Sequence, residues 1–512
     1  MSAWSAAFER VPELLLAHVQ ISFAALALGI ALSIPLAIAA HRNRWFAQCI
    51  LGFASFVQTI PSLALLALFF PILVGLGTLL GDWVRPLGFL PALLALTLYA
   101  LLPILRNAVT GLAAVDPAAR EAADGLGMTA MQKLWLVELP LALTTIVAGV
   151  RTAAVWTIGA ATLATTVGQP SLGDLIFAGL QTQNWPLVLV GCGVSAALAL
   201  SVDAAIGLAQ WGIEHRWRWT AATVLGGFAL VMAAVLTPLL TPKADTIVIG
   251  GKGFSEQYIL QRLIGARLEA AGYDVEYRDG LGSAVVFGAL SSGDIDISVD
   301  YAGTLWSSEM KRSDTQPRAA MLAEIESWTQ AQSSARIVGG LGFENAYAFA
   351  VKPATAQRYS IATLTDLARI APQLTLGTDP EFLERTEWAS VERIYGMRFR
   401  ANRSFSPSFM YDALASSEAD VITAYTSDGR VAADRLVVLS DPEQAIPGYD
   451  ALLMVNAQRL GDARLMAALR PLVGSIRVED MRSANYLVDR PSDKRTPVQA
   501  AAWLAGRLRP AP

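Results

Sequence analysis

The sequence predicts a multidomain fold in which an all-α membrane domain of six spans precedes a two-lobed α/β domain. Apolar stretches long enough to cross a bilayer fill the first half of the 512-residue chain, and a hydrocarbon core of ~30 Å requires about 20 helical residues. The second half alternates short apolar runs with amphipathic helical patterns, which is typical of α/β domains. A polar linker at 241–245 separates the halves, so the predicted domains are 1–242 and 243–512.

The two halves of the chain also differ in their content of charged residues. Hydrophobic residues make up 54% of the chain and mean hydropathy is +0.43, which is too apolar for an ordinary soluble protein. Residues 1–242 hold only 10 of the 39 Lys and Arg residues and 10 of the 43 Asp and Glu residues. The first half is therefore membrane-like, and the second is globular and mildly acidic. Neither half has the basic excess of a nucleic-acid-binding protein, so no nucleic-acid partner is expected.

Few side chains suit redox, metal or catalytic chemistry. The two cysteines, Cys49 and Cys192, both fall in apolar stretches, so cysteine usage leaves the redox compartment open. The three histidines, His18, His41 and His215, are far apart, and no Cys/His spacing of a metal site occurs. No nucleophile–base–acid set is recognisable. We therefore expect the chain not to be an enzyme and to hold no metal or cofactor.

Basic loops predict how the membrane domain is oriented. The six predicted spans are Leu14–Ala40, Cys49–Val74, Phe89–Leu105, Leu141–Val167, Pro186–Leu208 and Ala221–Leu240. Arg and Lys are concentrated in the alternate loops 41–44, 106–133 and 215–218, which can all be cytoplasmic together, as the positive-inside rule requires. The N-terminus and everything after Thr241 then lie outside the cell. The expected location is a plasma membrane, crossed several times, with the second domain extracytoplasmic.

The second predicted span is interrupted by polar residues and a proline. It contains Gln58-Thr59-Ile60-Pro61 within an apolar run. Proline and threonine inside a span predict a kink, and such kinks often line a passage through the membrane. A kink that is merely supported by neighbouring helices explains the same residues, so both interpretations stay open.

The second domain opens with a β-α-β-α-β pattern. Strand patterns at 246–250, 273–277 and 294–299 are separated by helical patterns that start at Ser255, a predicted N-cap, and at Ser283. This order builds a parallel sheet whose ligands gather at the carboxyl ends of the strands.

A second α/β unit begins near Val351, and the chain later returns to the first. Lobe 1 is therefore predicted at about 245–349 and 447–512, and lobe 2 at about 350–446. Two lobes joined by two crossings predict closure around a ligand by hinge motion. We find no Walker A phosphate-binding motif, and the Gly-rich run 250–253 lacks its Lys-Ser/Thr pair. Any ATP hydrolysis would therefore belong to another polypeptide.

The polar loop 106–140 between spans three and four contains a spaced motif. The motif residues are Glu121, Ala122, Ala123, Gly127, Leu139 and Pro140. Two short helical pieces would lie on either side of a break at Gly127. This loop resembles the coupling loop of ABC-importer permeases, and the resemblance implies that it docks into a cytoplasmic ATPase dimer.

Four tyrosines follow strand ends or crossings, where a cleft between lobes would lie. They are Tyr301, Tyr347, Tyr425 and Tyr449. Aromatic ring faces attract a cation, and each contributes about 0.5 to 2 kcal/mol. We also expect Asp428 and Arg430, just after the third tyrosine, to pair with each other at the hinge.

In motifs and order, the second domain resembles the binding proteins for quaternary-ammonium osmolytes. The resemblance implies that the four tyrosines box a trimethylammonium head. It further implies that Lys252, Thr304 and Arg385 hold the ligand carboxylate and that Asn345 lines the cage.

The resemblance covers nearly the whole chain and identifies it as similar to a type I ABC importer whose permease is fused to its binding protein. It implies a bacterial inner-membrane location, two copies forming one pore and a separate ATPase. The implied substrates are glycine betaine, choline, carnitine and proline betaine. Ergothioneine, a trimethylammonium betaine of histidine, is an alternative substrate for the same architecture. A ligand-gated membrane receptor or channel is an alternative of a different class.

Overall fold

The computed structural model describes residues 3–80, 86–182, 184–215, 226–227, 246–312, 314, 316–490 and 492–509. The chain separates into two compact units, one drawn mainly from its first half and one mainly from residue 246 onward. The first unit is helical and the second is α/β, which confirms the predicted order of an all-α domain followed by an α/β domain.

The helices of the first half are long and apolar. They are α1 (Ala3–Arg42), α2 (Arg44–Thr59), α3 (Ser62–Leu80), α4 (Phe89–Ala113), α5 (Pro117–Gly125), α6 (Ala130–Lys133), α7 (Leu139–Ala161), α8 (Gly173–Gln181) and α9 (Trp185–Glu214). Within the described residues, four continuous helical stretches are long and apolar enough to span a membrane, and α2 with α3 makes a fifth if that bent pair counts as one span. The predicted span Ala221–Leu240 lies outside the described residues except for 226–227.

The predicted second span is broken in two rather than gently kinked. The axes of α2 and α3 differ by 103°, and the break falls at Pro61, which cannot donate to the preceding helical turn. Ile60, just before the proline, is extended at φ −74 and ψ 125, as a residue preceding proline prefers. The Tyr99 hydroxyl donates to the Ile60 carbonyl, so a neighbouring helix satisfies a backbone group that the break exposes.

The second half folds around two five-stranded sheets. Its strands are β1 (Thr246–Lys252), β2 (Asp274–Leu281), β3 (Ile297–Tyr301), β4 (Ala335–Glu344), β5 (Tyr347–Val351), β6 (Thr375–Thr378), β7 (Ala401–Ser404), β8 (Val421–Tyr425), β9 (Val437–Val438) and β10 (Asp450–Asn456). The first sheet has the order β2-β1-β3-β10-β4 and the second β7-β6-β8-β5-β9. The chain crosses between the sheets after β4 and returns before β10. Each sheet therefore combines two parallel strand pairings with two antiparallel ones.

Helices cover these sheets. They are α10 (Ser255–Ala270), α11 (Ser283–Ser292), α12 (Arg318–Gln332), α13 (Pro353–Tyr359), α14 (Leu364–Ile370), α15 (Thr386–Tyr395), α16 (Pro407–Ala415), α17 (Gly429–Ala433), α18 (Ala463–Leu469), α19 (Val478–Asp489) and α20 (Pro497–Ala505). Helix α10 buries Ile259, Leu263 and Leu268, the apolar positions that recur at helical spacing.

Two local predictions were wrong. Ser255 does not cap α10, because Phe254 occupies the N-cap position and the Ser255 hydroxyl donates to Asp489 Oδ1 at 2.5 Å instead. The third strand begins at Ile297 rather than Asp294. Asp296 lies just before it, and its carboxylate accepts from the backbone N–H of Val248 at 2.8 Å.

Candidate functional site

The topology brings the predicted tyrosines to one cavity of ≈ 440 Å³. Tyr301 ends β3, and β10 runs antiparallel to β3 with Ala451 opposite Tyr301. Tyr449, immediately before β10, therefore lies at the same sheet edge. In the second sheet, Tyr347 begins β5 and pairs directly with Tyr425 at the end of β8. All four tyrosines line the cavity.

Three of the four rings pack against one another. The ring centroids of Tyr347 and Tyr425 are 5.0 Å apart, and those of Tyr347 and Tyr449 are 5.8 Å apart with planes at 87°. Phe382 supports this aromatic group from behind, with its centroid 4.9 Å from that of Tyr347. Burial raises the pKa of Tyr347, Tyr425 and Tyr449, so all three hydroxyls stay protonated at physiological pH.

Tyr301 lies in different surroundings. Its ring packs against Phe254, with centroids 6.2 Å apart. Its hydroxyl donates to Glu256 Oε1 at 2.6 Å and accepts from Gln257 Nε2 at 3.0 Å. Tyr301 thus lines the cavity while its polar end is held by α10.

The predicted carboxylate partners are already paired with acidic side chains of the protein. Lys252 Nζ donates to Asp300 Oδ1 at 2.6 Å, and both side chains are buried. Arg385 contacts Glu387 Oε1 and Glu381 Oε2, each at 3.4 Å. These Arg385 contacts are at the long limit for a hydrogen bond, which leaves its guanidinium more available to a ligand than the Lys252 ammonium.

Arg385 is also tied to the aromatic group. Its guanidinium carbon lies 5.5 Å from the Tyr347 ring centroid, and Nη2 donates to the Tyr449 hydroxyl at 3.4 Å. The Tyr449 hydroxyl in turn donates to Glu387. Thr304, the remaining predicted partner, is buried and lines the cavity.

Sequence reasoning did not assign any acidic side chain to the cavity, but a set of them lines it. They are Glu256, Asp379, Glu381, Asp428 and Asp489. Burial raises the pKa of Glu256, Asp379 and Asp428, and it raises that of Asp489 to about 7. Asp379 directly follows β6, and Asp428 lies in the loop after β8. An acidic residue soon after a strand end was therefore the signal that could have identified them.

Asp428 and Arg430 do pair, but through the backbone of Arg430 rather than by a direct ion pair of their side chains. The Asp428 carboxylate accepts from the backbone N–H of Arg430 at 2.8 Å, as the N-cap of α17. The Arg430 guanidinium instead contacts Asp412 at 2.8 Å and Asp434 at 3.5 Å. At the start of a helix, backbone N–H groups lack a partner within the helix. The Asp428 carboxylate therefore accepts from such an N–H rather than from the Arg430 guanidinium.

The polar loop of the first half forms a short two-helix unit. Asp116 caps α5 by accepting from Ala118 N at 2.9 Å, and Thr129 caps α6 in a capping box with Gln132. Gly127, between them, has φ +73, the left-handed conformation that glycine adopts readily. Two ion pairs brace the loop, Lys133–Asp124 at 2.7 Å and Arg120–Glu138 at 3.3 Å.

This loop presents both acidic and apolar side chains at its surface. Glu121, Ala122 and Gly127 are exposed, whereas Ala123 is buried against the loop. The large apolar side chains exposed around them are Leu126, Met131, Trp135 and Leu136. Leu139 begins α7, followed by an exposed Pro140. Exposed apolar side chains of this kind are typical of a surface that another protein covers.

Together, the apolar helical half with its knob-like loop and the two-sheet α/β half with its aromatic cavity define a membrane permease joined to a substrate-binding domain. Residues 245–506 match the family model described as the substrate-binding domain of ABC-type glycine betaine transport systems. Residues 29–237 match the inner membrane component of binding-protein-dependent transport systems. The chain belongs to the osmoprotectant family of ABC importers, as a permease fused to its binding protein.

Individual relatives cover both halves. The ergothioneine transport permease/ergothioneine binding protein EgtU of Helicobacter pylori is 28% identical over 457 residues, which is 86% of this chain and 80% of that protein. The glycine betaine/carnitine/choline transport system permease protein OpuCB of Bacillus subtilis is 40% identical over 186 residues, 36% of this chain and 80% of that protein. A crystal structure of a glycine betaine/carnitine/choline ABC transporter has 27% identity and a TM-score of 0.44, covering 50% of this chain and 96% of the other.

Family membership bears on the expected class of protein, its location and its partner. These relatives are transporter permeases and binding proteins, not enzymes. Membership makes this chain an inner-membrane protein with an extracytoplasmic binding domain and implies an ATPase partner. It also favours the importer over the receptor or channel alternative.

Proposed function

We propose that this chain takes up quaternary-ammonium compounds, with glycine betaine, choline, carnitine and proline betaine as its substrate class. In this proposal, residues 1–242 form the permease and residues 243–512 the binding domain, with lobe 1 at about 245–349 and 447–512 and lobe 2 at about 350–446. Two copies form the pore. A separate cytoplasmic ATPase dimer supplies the energy through the loop 106–140.

The packing of Tyr347, Tyr425 and Tyr449 with Arg385 at one cavity carries the substrate proposal. Adjoining ring faces attract a methylated cation, which displays no hydrogen-bond donor. A guanidinium beside the rings can bind a carboxylate with charge-assisted hydrogen bonds. Rings and guanidinium together match the two ends of a small betaine, and after the costs of association they are consistent with micromolar affinity, about −8 kcal/mol.

The acidic lining of the cavity supports the same substrate class. Asp379, which accepts from the Tyr425 hydroxyl at 3.2 Å, lies beside the aromatic group. A carboxylate close to the rings strengthens the attraction for a cation that cannot be hydrogen-bonded directly. The arrangement therefore favours a fixed positive charge over a neutral ligand of equal size.

Coupling to the ATPase rests on the exposed surface of the 106–140 loop. We propose that Glu121, Ala122, Ala123 and Gly127 form the knob that enters the ATPase, and that Leu139 and Pro140 join it to α7. The ion pairs and caps that brace the loop make it rigid enough to transmit motion.

Ergothioneine uptake is the second candidate function. The observation that favours it is the relative from Helicobacter pylori, which matches both halves of this chain in one polypeptide and is named for ergothioneine transport and binding. The trimethylammonium and carboxylate groups of ergothioneine suit the same tyrosine rings and the same Arg385 guanidinium.

Uptake into lipid vesicles tests the proposal. The full chain is reconstituted with its ATPase. Accumulation of labelled glycine betaine, choline and ergothioneine is then measured with and without ATP on the side of the membrane to which the ATPase is bound. We expect ATP-dependent accumulation of at least one of them. Passive flux that is opened by ligand without ATP would instead support the channel alternative.

A further inference from the structure

The membrane half contains a groove of its own, built around an ion pair. Arg151 on α7 and Asp203 on α9 lie together in an open groove of ≈ 510 Å³. Its polar and aromatic lining consists of Arg151, Thr152, Trp156, Asp203 and Gln210. We call it the membrane groove. All of these residues belong to the first compact unit, so the membrane groove is distinct from the aromatic cavity of the binding domain.

The ion pair lies deep within two apolar helices. Arg151 is 12 residues after Leu139 at the start of α7, and Asp203 is 11 residues before Glu214 at the end of α9. At about 1.5 Å per residue, both lie roughly 16 to 18 Å from those helix ends, which is about half of a hydrocarbon core of ~30 Å. Both helix ends adjoin basic loops that are predicted to be cytoplasmic, 106–133 and 215–218. The pair therefore lies near the middle of the membrane.

Both charged side chains are accessible from the groove despite this depth. The exposed fraction is 41% for the Arg151 side chain and 28% for that of Asp203. Contact between a charge and lipid tails is costly, so charged side chains within a membrane almost always face a water-filled cavity or another chain, and they often mark substrate pathways. This face of α7 and α9 is therefore turned away from lipid.

The pair has a fixed geometry that still leaves room for a ligand. Arg151 Nε donates to Asp203 Oδ1 at 2.5 Å, and Nη2 donates to Oδ2 at 2.6 Å, which is the bidentate arrangement. Among the residues that the structure describes, the third guanidinium nitrogen, Nη1, has no acceptor. It lies beside Gly207, where a Cβ would come within 3.3 Å. A pair with no net charge suits a ligand that is neutral overall and carries both charges.

Trp156 adds an aromatic face to the membrane groove. It lies one helical turn beyond Thr152 on α7, and 53% of it is exposed. Among aromatic side chains, tryptophan attracts a cation most strongly through its ring face. A guanidinium, a carboxylate and an aromatic ring thus occur together here, as they do in the aromatic cavity.

On the basis of the proposed function, we propose that Arg151, Asp203 and Trp156 form a second substrate site, which binds quaternary-ammonium zwitterions as they cross the membrane. Arg151 takes the ligand carboxylate through Nη1, and Asp203 with Trp156 takes the methylated cation. The charges of ligand and site cancel in pairs, which lowers the cost of holding a zwitterion among apolar helices. A site on a transport path must also release its ligand, so it binds more weakly than the aromatic cavity.

Uptake and ligand binding, measured side by side, test this site. Arg151→Gln/Asp203→Asn removes both charges together and leaves no unpaired charge in the membrane. With the full chain and its ATPase in vesicles, maximal uptake of labelled glycine betaine should fall at least about tenfold, because charge-assisted hydrogen bonds are lost. The dissociation constant at the aromatic cavity, measured by calorimetry, should stay the same. Leu200→Ala, at an exposed position of α9 outside the groove, is the control and should change neither quantity.

Trp156 provides a readout that does not depend on the ion pair. Trp156→Leu should lower maximal uptake of glycine betaine several-fold, whereas Trp156→Phe keeps a ring face and should retain most of it. Equal uptake by the leucine and phenylalanine variants would overturn the site. Unchanged uptake by Arg151→Gln/Asp203→Asn would overturn it as well.

The remaining outcomes separate the site from a contact between copies and from the function on which it rests. Mass photometry should show that two copies of Arg151→Gln/Asp203→Asn stay together. Their separation would overturn the proposal, because the groove would then be an interface between copies. Normal uptake by the variants would contradict only the membrane site, whereas an unmodified chain that folds, binds its ATPase and takes up no quaternary amine would contradict the proposed function itself.

Discussion

Tyr347 and Tyr425 are directly paired across antiparallel strands β5 and β8, and their ring centroids lie 5.0 Å apart. Strand pairing therefore fixes the spacing of the two rings before any ligand binds. Two rings this close cannot enclose a trimethylammonium group between them, so they act as adjoining walls of the cavity. Preorganised walls reduce the cost of ordering side chains when a ligand arrives.

Replacing Tyr425 should weaken ligand binding, because one of the ring faces that line the cavity is lost. We expect Tyr425→Ala to weaken glycine betaine and choline alike, by about 0.5 to 2 kcal/mol, since the attraction for the methylated cation is lost. Tyr425→Phe keeps the ring and is the matched control, expected to retain most of the affinity. Equal losses in the two variants, measured by calorimetry, would assign the effect to the hydroxyl rather than to the ring.

Arg385 should distinguish zwitterions from simple cations. Arg385→Gln removes the guanidinium next to Tyr347 and Tyr449, so a ligand carboxylate loses charge-assisted hydrogen bonds of roughly 1.5 to 3 kcal/mol. Choline has no carboxylate and should lose much less affinity than glycine betaine. Arg393→Gln, at an exposed position of helix α15, which begins just after Arg385, is the control. A loss of the same size for both ligands would contradict a carboxylate-binding role.

Gly303 should be needed for the position of Tyr449. A Cβ at Gly303 would lie 2.3 Å from Tyr449 Cε2, and Tyr449 is held at its other end by Glu387. Gly303→Ala should therefore weaken ligand binding, at an overpacking cost of about 1 to 3 kcal/mol. Gly448→Ala, whose nearest neighbour would be 3.8 Å away, should bind normally. Unchanged binding in Gly303→Ala would show that the Tyr449 ring position is not important for recognition.

Gly127 should matter for uptake and not for ligand binding. Its φ of +73 costs an alanine about 1 to 2 kcal/mol, although a Cβ would meet nothing within 4 Å. Gly127→Ala should therefore distort the loop and lower ATP-driven uptake, whereas ligand affinity stays the same. The control is Gly125→Ala, two residues earlier, where the space is equally open and the backbone has no positive φ. Similar uptake by both variants would argue against a coupling role for the Gly127 turn.

Asp489 should make the stability of the binding domain depend on pH. Burial, and then the nearby charge of Asp428, raise the pKa of Asp489 to about 7 from an ordinary value of 3.8. Between these values the folded state keeps a proton that the unfolded state has lost, so stability falls as pH rises toward 7 and levels off above it.

Asp489→Asn removes that dependence, because an amide does not ionise. The midpoint of thermal unfolding should rise relative to the unmodified chain at pH 8, by several degrees, and differ little at pH 4, where both side chains are neutral. The Ser255 hydroxyl can still donate to the amide oxygen, so the hydrogen bond is preserved. A difference that is the same at both pH values would contradict the titration of Asp489.

The sequence allowed the fold class and family to be predicted, and both are confirmed. Tyr301 and Tyr425 were found because parallel strands place their carboxyl ends at one edge, and Tyr347 and Tyr449 because they lie at the crossings between the lobes; neither rule needs knowledge of side-chain partners. What the sequence does not contain is which side chain reaches which partner. Lys252 is paired with Asp300, 48 positions away, and Tyr301 with Glu256, 45 positions away, and no periodic pattern encodes either contact.

The 103° break between α2 and α3 was missed for a related reason. Proline at position 61 predicts a kink, but its size depends on whether a neighbouring helix can satisfy the exposed backbone groups. Tyr99 provides that hydrogen bond from α4, and its position relative to Ile60 is a property of the folded unit alone.

Titration of quaternary amines into the purified full chain tests the aromatic cavity most directly. Calorimetry with glycine betaine, choline, carnitine and ergothioneine should give micromolar binding, near −8 kcal/mol, for at least one of them. Combined replacement of Tyr347 and Tyr425 by alanine should weaken that binding by about 1 to 4 kcal/mol in a chain that still folds. A folded, unmodified chain that gives no heat with any quaternary amine would contradict the recognition of a methylated cation by these rings.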